Sequence, residues 1–305
     1  MIDGKLGIAL GGGAARGWAH IGVLKRLIAA GLSPEIVVGT SIGAVVGGCY
    51  VASKIAELEA FATSLTRRKV FGLLDFNMAG SGLISGRRLC DQLEEHIKPL
   101  IIEDLERRFA AVATELGTGH EVWLNRGRLV DAMRASYAMP GIFKPVRVAG
   151  RWLIDGAVVN PIPVSVCRAL GAQVVIAVNL HSDTFGKGTI VPECGAVEAI
   201  DESPNDLEVV NGNGRSAIHL LHRQFFGRSD APGISTVMMD AFSIIQDRVA
   251  RSRLAGDPPD LMINPRLSGF GLFEFHRANE LIALGEAAAD RELEQIKEHV
   301  EHLAP

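Results

Sequence analysis

The sequence predicts an α/β fold, and three stretches predict it. Residues 5–10, 36–38 and 174–180 are short, nearly continuous apolar runs of the kind that lie buried in a parallel sheet. The first two flank a helical pattern in Trp18, Ile21, Leu24, Leu27 and Ile28, so residues 5–40 read as a βαβ unit. The third follows its own short helical segment at 164–170, stopped by Gly171. Because such a crossover joins parallel strands with one hand, the loops after the first two strands leave the sheet at the same carboxyl edge.

Composition sets the bounds. The chain has 305 residues, 48% hydrophobic and 22% charged, enough to bury about three quarters of its unfolded surface. The expectation is a single domain over residues 1–305, with a polar insertion at about 182–235. A formal net charge of -4 with no long basic run argues against nucleic acid as a partner. The four cysteines, Cys49, Cys90, Cys167 and Cys194, are far apart and form no CxxC or metal-ligand spacing, so they read as reduced packing thiols and no metal is expected. Cys194 is the exception, in a polar segment. The N-terminus has no secretory apolar core or cleavage site, and no apolar stretch reaches the roughly 18 residues of a membrane span. A cytoplasmic protein is expected, with any membrane contact peripheral.

The first strand meets Gly11-Gly12-Gly13, and the helix that follows, 14–30, stops at Gly31. Bare backbone at Gly11, Gly12, Gly13 and Gly17 can donate N–H groups to an oxyanion, and Arg16 adds a cation suited to a phosphate or carboxylate. A nucleotide-phosphate loop is the competing reading, but GGGAARG has neither GxGxxG spacing nor the Lys-Ser/Thr of a P-loop. Ser33-Pro34 then leads into the strand that ends at Gly39-Thr40-Ser41-Ile42-Gly43, before a small-residue helix at 44–51. Glycine, any residue, serine, any residue, glycine between a strand and a helix is the pattern of a nucleophile elbow, with Gly39 and Gly43 making room for the turn. The other reading is an ordinary glycine-rich turn. Ser41 would project at a helix N-terminus, where developing negative charge is favoured.

Helices are expected at 55–65 and 87–97, separated by an irregular stretch whose Phe71, Leu73, Leu74, Phe76 and Met78 form a candidate lid. Strands follow at 109–114 and 121–124, a helix at 128–137, and a hairpin from 146–148 to 151–154. That hairpin ends at Asp155-Gly156. Asp-Gly is first a turn dipeptide. Yet Asp155 closes an apolar strand, where a carboxylate without a task is costly to bury, and it is the best base in the sequence. His181 directly follows the strand at 174–180, so Ser41, Asp155 and His181 also have the chain order of an α/β-hydrolase triad, although only one strand precedes the elbow.

Residues 182–235 break the composition with Gly, Asn, Asp, Ser and Pro around one amphipathic piece at 218–226, which reads as a surface helix for lipid or a partner. His219 and His222 have one-turn spacing but no third metal ligand nearby. A helix at 235–253, a strand at 261–263 and a charged helix at 275–302, read as a solvated outer cover, complete the chain.

Taken together, GGGAARGWAHIGVL, GTSIGA and LIDGAVVNPIP resemble the patatin-like phospholipase family, in particular bacterial members akin to the catalytic domain of neuropathy target esterase. ASYAMPGIFKPV, VIAVNL and the closing part from DLMINPRL to ANELIALGEAAA extend the likeness. The resemblance implies a three-layer patatin-like fold with a mostly parallel central sheet flanked by helices. It also implies a serine-aspartate dyad: Ser41 as nucleophile, Asp155 as base, and Gly11, Gly12, Gly13, Arg16 and Gly17 around the oxyanion, with Gly39, Gly43 and Gly156 in support. The implied reaction is hydrolysis of acyl esters in phospholipids or lysophospholipids, without metal or cofactor. Two rivals stand beside it: the triad through His181, and an adaptor that keeps an esterase scaffold but works by binding a partner.

Overall fold

The computed structural model describes residues 6–73, 100–183 and 234–301. The expected helix at 87–97, the side chains of the candidate lid, Cys90, Cys194, His219, His222 and residues 184–233 lie outside what is described. The chain divides into two compact units, Met1–Thr184 with Ile245–Pro305, and Phe185–Ile244.

The first unit carries one sheet. Its strands among the described residues are β1 (Leu6–Leu10), β2 (Ile36–Thr40), β3 (Arg108–Glu115), β4 (Glu121–Leu124), β5 (Val146–Val148), β6 (Arg151–Asp155), β7 (Val174–Val178) and β8 (Leu261–Ile263). In hydrogen-bonded order the path is β5-β6-β3-β2-β1-β7-β8, with β4 also paired to β3. The pairs among β3, β2, β1, β7 and β8 are parallel. Those made by β4, β5 and β6 are antiparallel.

The described helices are α1 (Ala19–Ala29), α2 (Ile42–Val51), α3 (Ile55–Thr63), α4 (Arg67–Leu73), α5 (Leu129–Ser136), α6 (Val164–Ala169), α7 (Ile234–Gly256) and α8 (Ala278–Glu301). Strand side chains alternate between two apolar layers, as a pleated strand requires. Ile8, Leu10, Val37, Ile176 and Val178 pack with residues of α1, α2, α5 and α8. Ala9, Ile36, Val38, Val175 and Ala177 pack with Val164, Val166 and Cys167 of α6 and Ala250 of α7. Helices therefore cover both faces of the parallel strands, which explains why those strands are apolar at every position. Among the described residues no helix is long and apolar enough to cross a membrane.

Two expectations change. The helix expected at 14–30 begins as a 3-10 turn over Ala14–Trp18, because Ala14 sits at φ 49 and the Arg16 amide reaches back to the Gly13 carbonyl. The charged closing helix is more than a solvated cover. Leu281, Ile282, Gly285, Ala288, Ala289, Leu293, Ile296 and Val300 of α8 are buried. A Cβ on Gly285 would lie 1.9 Å from the Ala19 carbonyl oxygen, and one on Gly22 2.0 Å from that of Ile282, so α8 and α1 meet backbone to backbone. Charge on the outer face of α8 hides that seam in the sequence.

The register around β3 has a consequence for the site. β4 lies along Ala111 to Thr114, β2 pairs up to Thr40↔Val112, and β6 begins at Asp155↔Ala113. A strand has two edges, and β4 overlaps both of the others, so β2 and β6 must share the opposite edge in tandem. They run toward each other there. The end of β2 meets the end of β6.

Candidate active site

Ser41 is the first residue beyond β2 and the N-cap of α2, held at φ 58, ψ −125. Positive φ is costly for a residue with a side chain and persists where its surroundings over-determine it. They do so here by close backbone approach. A Cβ at Gly43 would sit 2.1 Å from the Leu10 carbonyl oxygen, and one at Gly39 2.3 Å from that of Gly43, so neither elbow glycine can carry a side chain. The Ser41 amide donates to Ser136 Oγ at 2.9 Å, and Ser136 Oγ donates in turn to the Val112 carbonyl at 2.6 Å.

Asp155 ends β6 and is fully buried. Its Oδ2 accepts the Ser41 hydroxyl at 2.6 Å, and its Oδ1 accepts the Ala157 amide at 2.8 Å. Its backbone is also anchored, the amide to the Ala138 carbonyl and the carbonyl to Thr114 Oγ1, both at 2.9 Å. Burial raises the Asp155 carboxyl from 3.8 to about 7, and the hydrogen bonds from Ser41 and Ala157 oppose the rise. The group is therefore poised to take a proton near neutral pH. Gly156 beside it lies against β3, where a Cβ would be 2.2 Å from the Val112 carbonyl oxygen.

The glycine loop borders Ser41. Built on Gly12, a Cβ would lie 3.5 Å from Ser41 Cβ and 3.3 Å from Ala157 Cβ. The expected donor set narrows, however. The Gly11 amide donates to the Val178 carbonyl at 3.2 Å and the Gly12 amide to that of Pro161 at 3.0 Å, so both serve to fasten the loop. Arg16, expected as a cation at the mouth, is 6% exposed and donates Nε to the Phe270 carbonyl at 2.9 Å, as a brace. Gly17 lies under the elbow, with Ile42 side-chain carbon 2.3 Å from where its Cβ would be. The first turn of α2 has no side-chain cap, so its leading amides stay open to negative charge.

Two histidines border the loop without joining the Ser41–Asp155 pair. His20 Nε2 lies 2.8 Å from the Gly11 carbonyl, and since a carbonyl only accepts, Nε2 carries the proton. Burial lowers His20 to about 4, so the ring is neutral. His181 is 1% exposed, and burial, reinforced by the Arg16 charge, lowers it to about 4 as well. Its backbone amide donates to Asn179 Oδ1, while its ring nitrogens approach the Gly12 carbonyl and Gln246 without hydrogen-bond geometry. The Ser41 hydroxyl goes to Asp155 directly, with no imidazole between them.

Among the described residues no group of three or more His, Cys, Asp or Glu could hold a metal ion. Cys49 and Cys167 are buried free thiols, both pushed up by burial, Cys49 to about 12. Sequence reasoning missed Ser136, His20 and Gln246. A hydroxyl at a helix end, a histidine on a helix and an amide on a long helix carry no spacing signal. Only the glycine-spaced motifs around them did.

The family model for patatin-like phospholipase matches residues 8–168, a span that contains the glycine loop, Ser41 and Asp155. NTE family proteins of Mycobacterium tuberculosis and Mycobacterium bovis are 33% identical over 340 residues, covering 95% of this chain and 91% of theirs. Lysophospholipase nte1 of Aspergillus fumigatus is 27% identical over 304 residues, covering 96% of this chain but 18% of that protein. Among solved structures, VipD of Legionella pneumophila aligns with TM-score 0.46 and 12% identity, covering 97% of this chain and 67% of that one.

Proposed function

This chain belongs to the patatin-like phospholipase family, and on that premise we propose that it is a lipid acyl hydrolase working through a serine-aspartate dyad, with Ser41 as nucleophile and Asp155 as general base. The observation that carries the reading is the buried 2.6 Å hydrogen bond from Ser41 Oγ to Asp155 Oδ2. Asp155 Oδ2 takes the hydroxyl proton as Oγ attacks the ester carbonyl carbon. Negative charge develops on the carbonyl oxygen, toward the Gly13 side of the loop and the open first turn of α2, where backbone N–H groups stabilise it. The ester C–O bond then breaks and Asp155 returns its proton to the departing alcohol, leaving acyl-Ser41. Water attacks that acyl group, gives its proton to Asp155, and the fatty acid leaves as Ser41 recovers its hydrogen.

Phospholipid or lysophospholipid acyl esters are the substrate class, a reading supported by the family and by the lysophospholipase among the relatives. Because only the carboxylate form of Asp155 can act as base, kcat/KM should rise with pH and level off above about 7. The test is active-site labelling with a fluorophosphonate probe beside a panel of acyl esters, phospholipids and lysophospholipids. The wild-type protein labels at Ser41 and releases fatty acid, while Ser41→Ala does neither and keeps a wild-type melting curve. A wild-type protein that stays unlabelled, or a Ser41→Ala variant that still turns over, refutes the dyad. The unlabelled outcome is also what the adaptor reading requires.

A further inference from the structure

We propose that Ser136 is a positioning residue for this reaction, splicing the two strand ends that carry the nucleophile and its base; the inference rests on the reading of Ser41 and Asp155 as the dyad. On the shared edge of β3 the ladder changes hands between Val112, the last residue paired with β2, and Ala113, the first paired with β6. At that point Ser41 turns out of β2 into the elbow, and the sheet offers its amide no further partner. A fully buried hydroxyl fills the break. Ser136 Oγ accepts the Ser41 amide at 2.9 Å and donates to the Val112 carbonyl at 2.6 Å.

A role confined to its own helix does not account for this. Ser136 is the last residue of α5, and the capping amide there belongs to Tyr137, which bonds the Met133 and Ala135 carbonyls. The Ser136 hydroxyl instead spends both of its bonds on other elements. Two residues on, the Ala138 carbonyl accepts the Asp155 amide at 2.9 Å. One short splint, residues 136–138, thus holds the end of β2 through a side chain and the end of β6 through the backbone. The nucleophile and the base, 114 residues apart in the chain, are referenced to the same three residues.

The chemistry of the position is narrow. One atom must accept and donate at once in a buried gap, which a hydroxyl does, an alanine methyl does not, and a thiol does poorly. Without it a buried N–H and a buried C=O are left unpaired beside a strained residue, and the elbow can relax out of proton-transfer distance from Asp155. Displacements of about 1 Å in such a pair cost on the order of 10²-fold in rate.

The experiment uses the full chain and the variants Ser136→Ala and Ser136→Thr. Each is measured for kcat and KM on a soluble p-nitrophenyl acyl ester, for the rate of fluorophosphonate labelling, for the pH dependence of both, and for melting temperature. Ser136→Ala is expected to lose about 10²-fold in kcat and in labelling rate with KM within about twofold of wild type. Its acidic limb should move to higher pH, because the Ser41 hydroxyl that favours the Asp155 carboxylate is no longer held in place. Ser136→Thr, which keeps the hydroxyl, should restore most of the rate. Should Ser136→Ala not fold, Ser136→Cys, which preserves volume, is read by the same criteria. The proposal is overturned by a variant that labels at the wild-type rate with an unmoved limb, or by a loss of kcat with an unmoved limb that threonine does not restore. In either case a wild-type protein that labels at Ser41 leaves the dyad standing; a wild-type protein that does not label removes both.

Discussion

The two ends of the sheet are built differently. β1, β2 and β7 are buried at all five positions of each, whereas β5 is only partly covered and β6 goes from exposed Arg151 and Trp152 to fully buried Asp155 within five residues. The parallel strands form the scaffold, apolar on both faces and closed by helices on each. Their contribution to the site leaves from the carboxyl edge, as the glycine loop and the elbow. The antiparallel strands contribute from the other direction, and only the inward tip of β6 enters the interior. A carboxylate delivered on a strand rather than a loop has two backbone hydrogen bonds to fix it. The lesson is that the nucleophile and base are aligned by a shared edge of β3, so the precision of the site belongs to the junction more than to either half.

The sharpest break of that comparison is Asp155→Asn. It should lower kcat by roughly 10²–10⁴-fold. It should also stabilise the fold at pH 8, as thermal melts can measure. The sign follows from the raised carboxyl: with 3.8 unfolded and about 7 folded, its contribution to stability is fully present below about pH 4 and is lost as pH rises through 7. The amide escapes that loss, so the gain over wild type should shrink as the melts are repeated toward pH 4. An Asn variant that melts lower at pH 8 would contradict burial as the source of the shift.

A smaller effect separates the junction from the scaffold. A Cβ at Gly156 would press on the Val112 carbonyl at 2.2 Å, and one at Gly7 in β1 on Ala172 Cβ at 2.6 Å. Gly156→Ala and Gly7→Ala should each destabilise by about 1–3 kcal/mol in denaturant unfolding. Only Gly156→Ala should also slow labelling of Ser41. Equal labelling rates in the two would mean that the junction is no more sensitive than the rest of the sheet. The smallest expected effect is His181→Ala. It should leave kcat/KM within about tenfold of wild type, whereas a triad would lose several orders of magnitude.

Much of the site was legible before any coordinates. The elbow announces itself because a turn this tight excludes side chains at Gly39 and Gly43, and such exclusion writes itself as spacing. Asp155 stood out because a carboxylate closing an apolar strand needs a reason. Arg16 was legible as part of the loop but not in its task, since a guanidinium that braces a carbonyl and one that meets an anion look alike in a sequence. Ser136 had no signal at all: a serine at a helix end is ordinary until the two groups it bridges are known. The seam of α8 was hidden for a related reason, because charges on its outer face outweighed the glycines and alanines of its inner one.

By itself the sequence determined the local geometry of this protein: which runs are strands, where glycine is obligatory, where the hydroxyl turns out of its strand and which carboxylate ends an apolar run. These follow from sterics and periodicity within a few residues. The tertiary structure alone decided that β2 and β6 meet on one edge of β3, that the hydroxyl reaches the carboxylate without a histidine, and that Ser136 closes the gap. Those facts depend on strand register and on the pairing of groups more than a hundred residues apart, which no local pattern encodes.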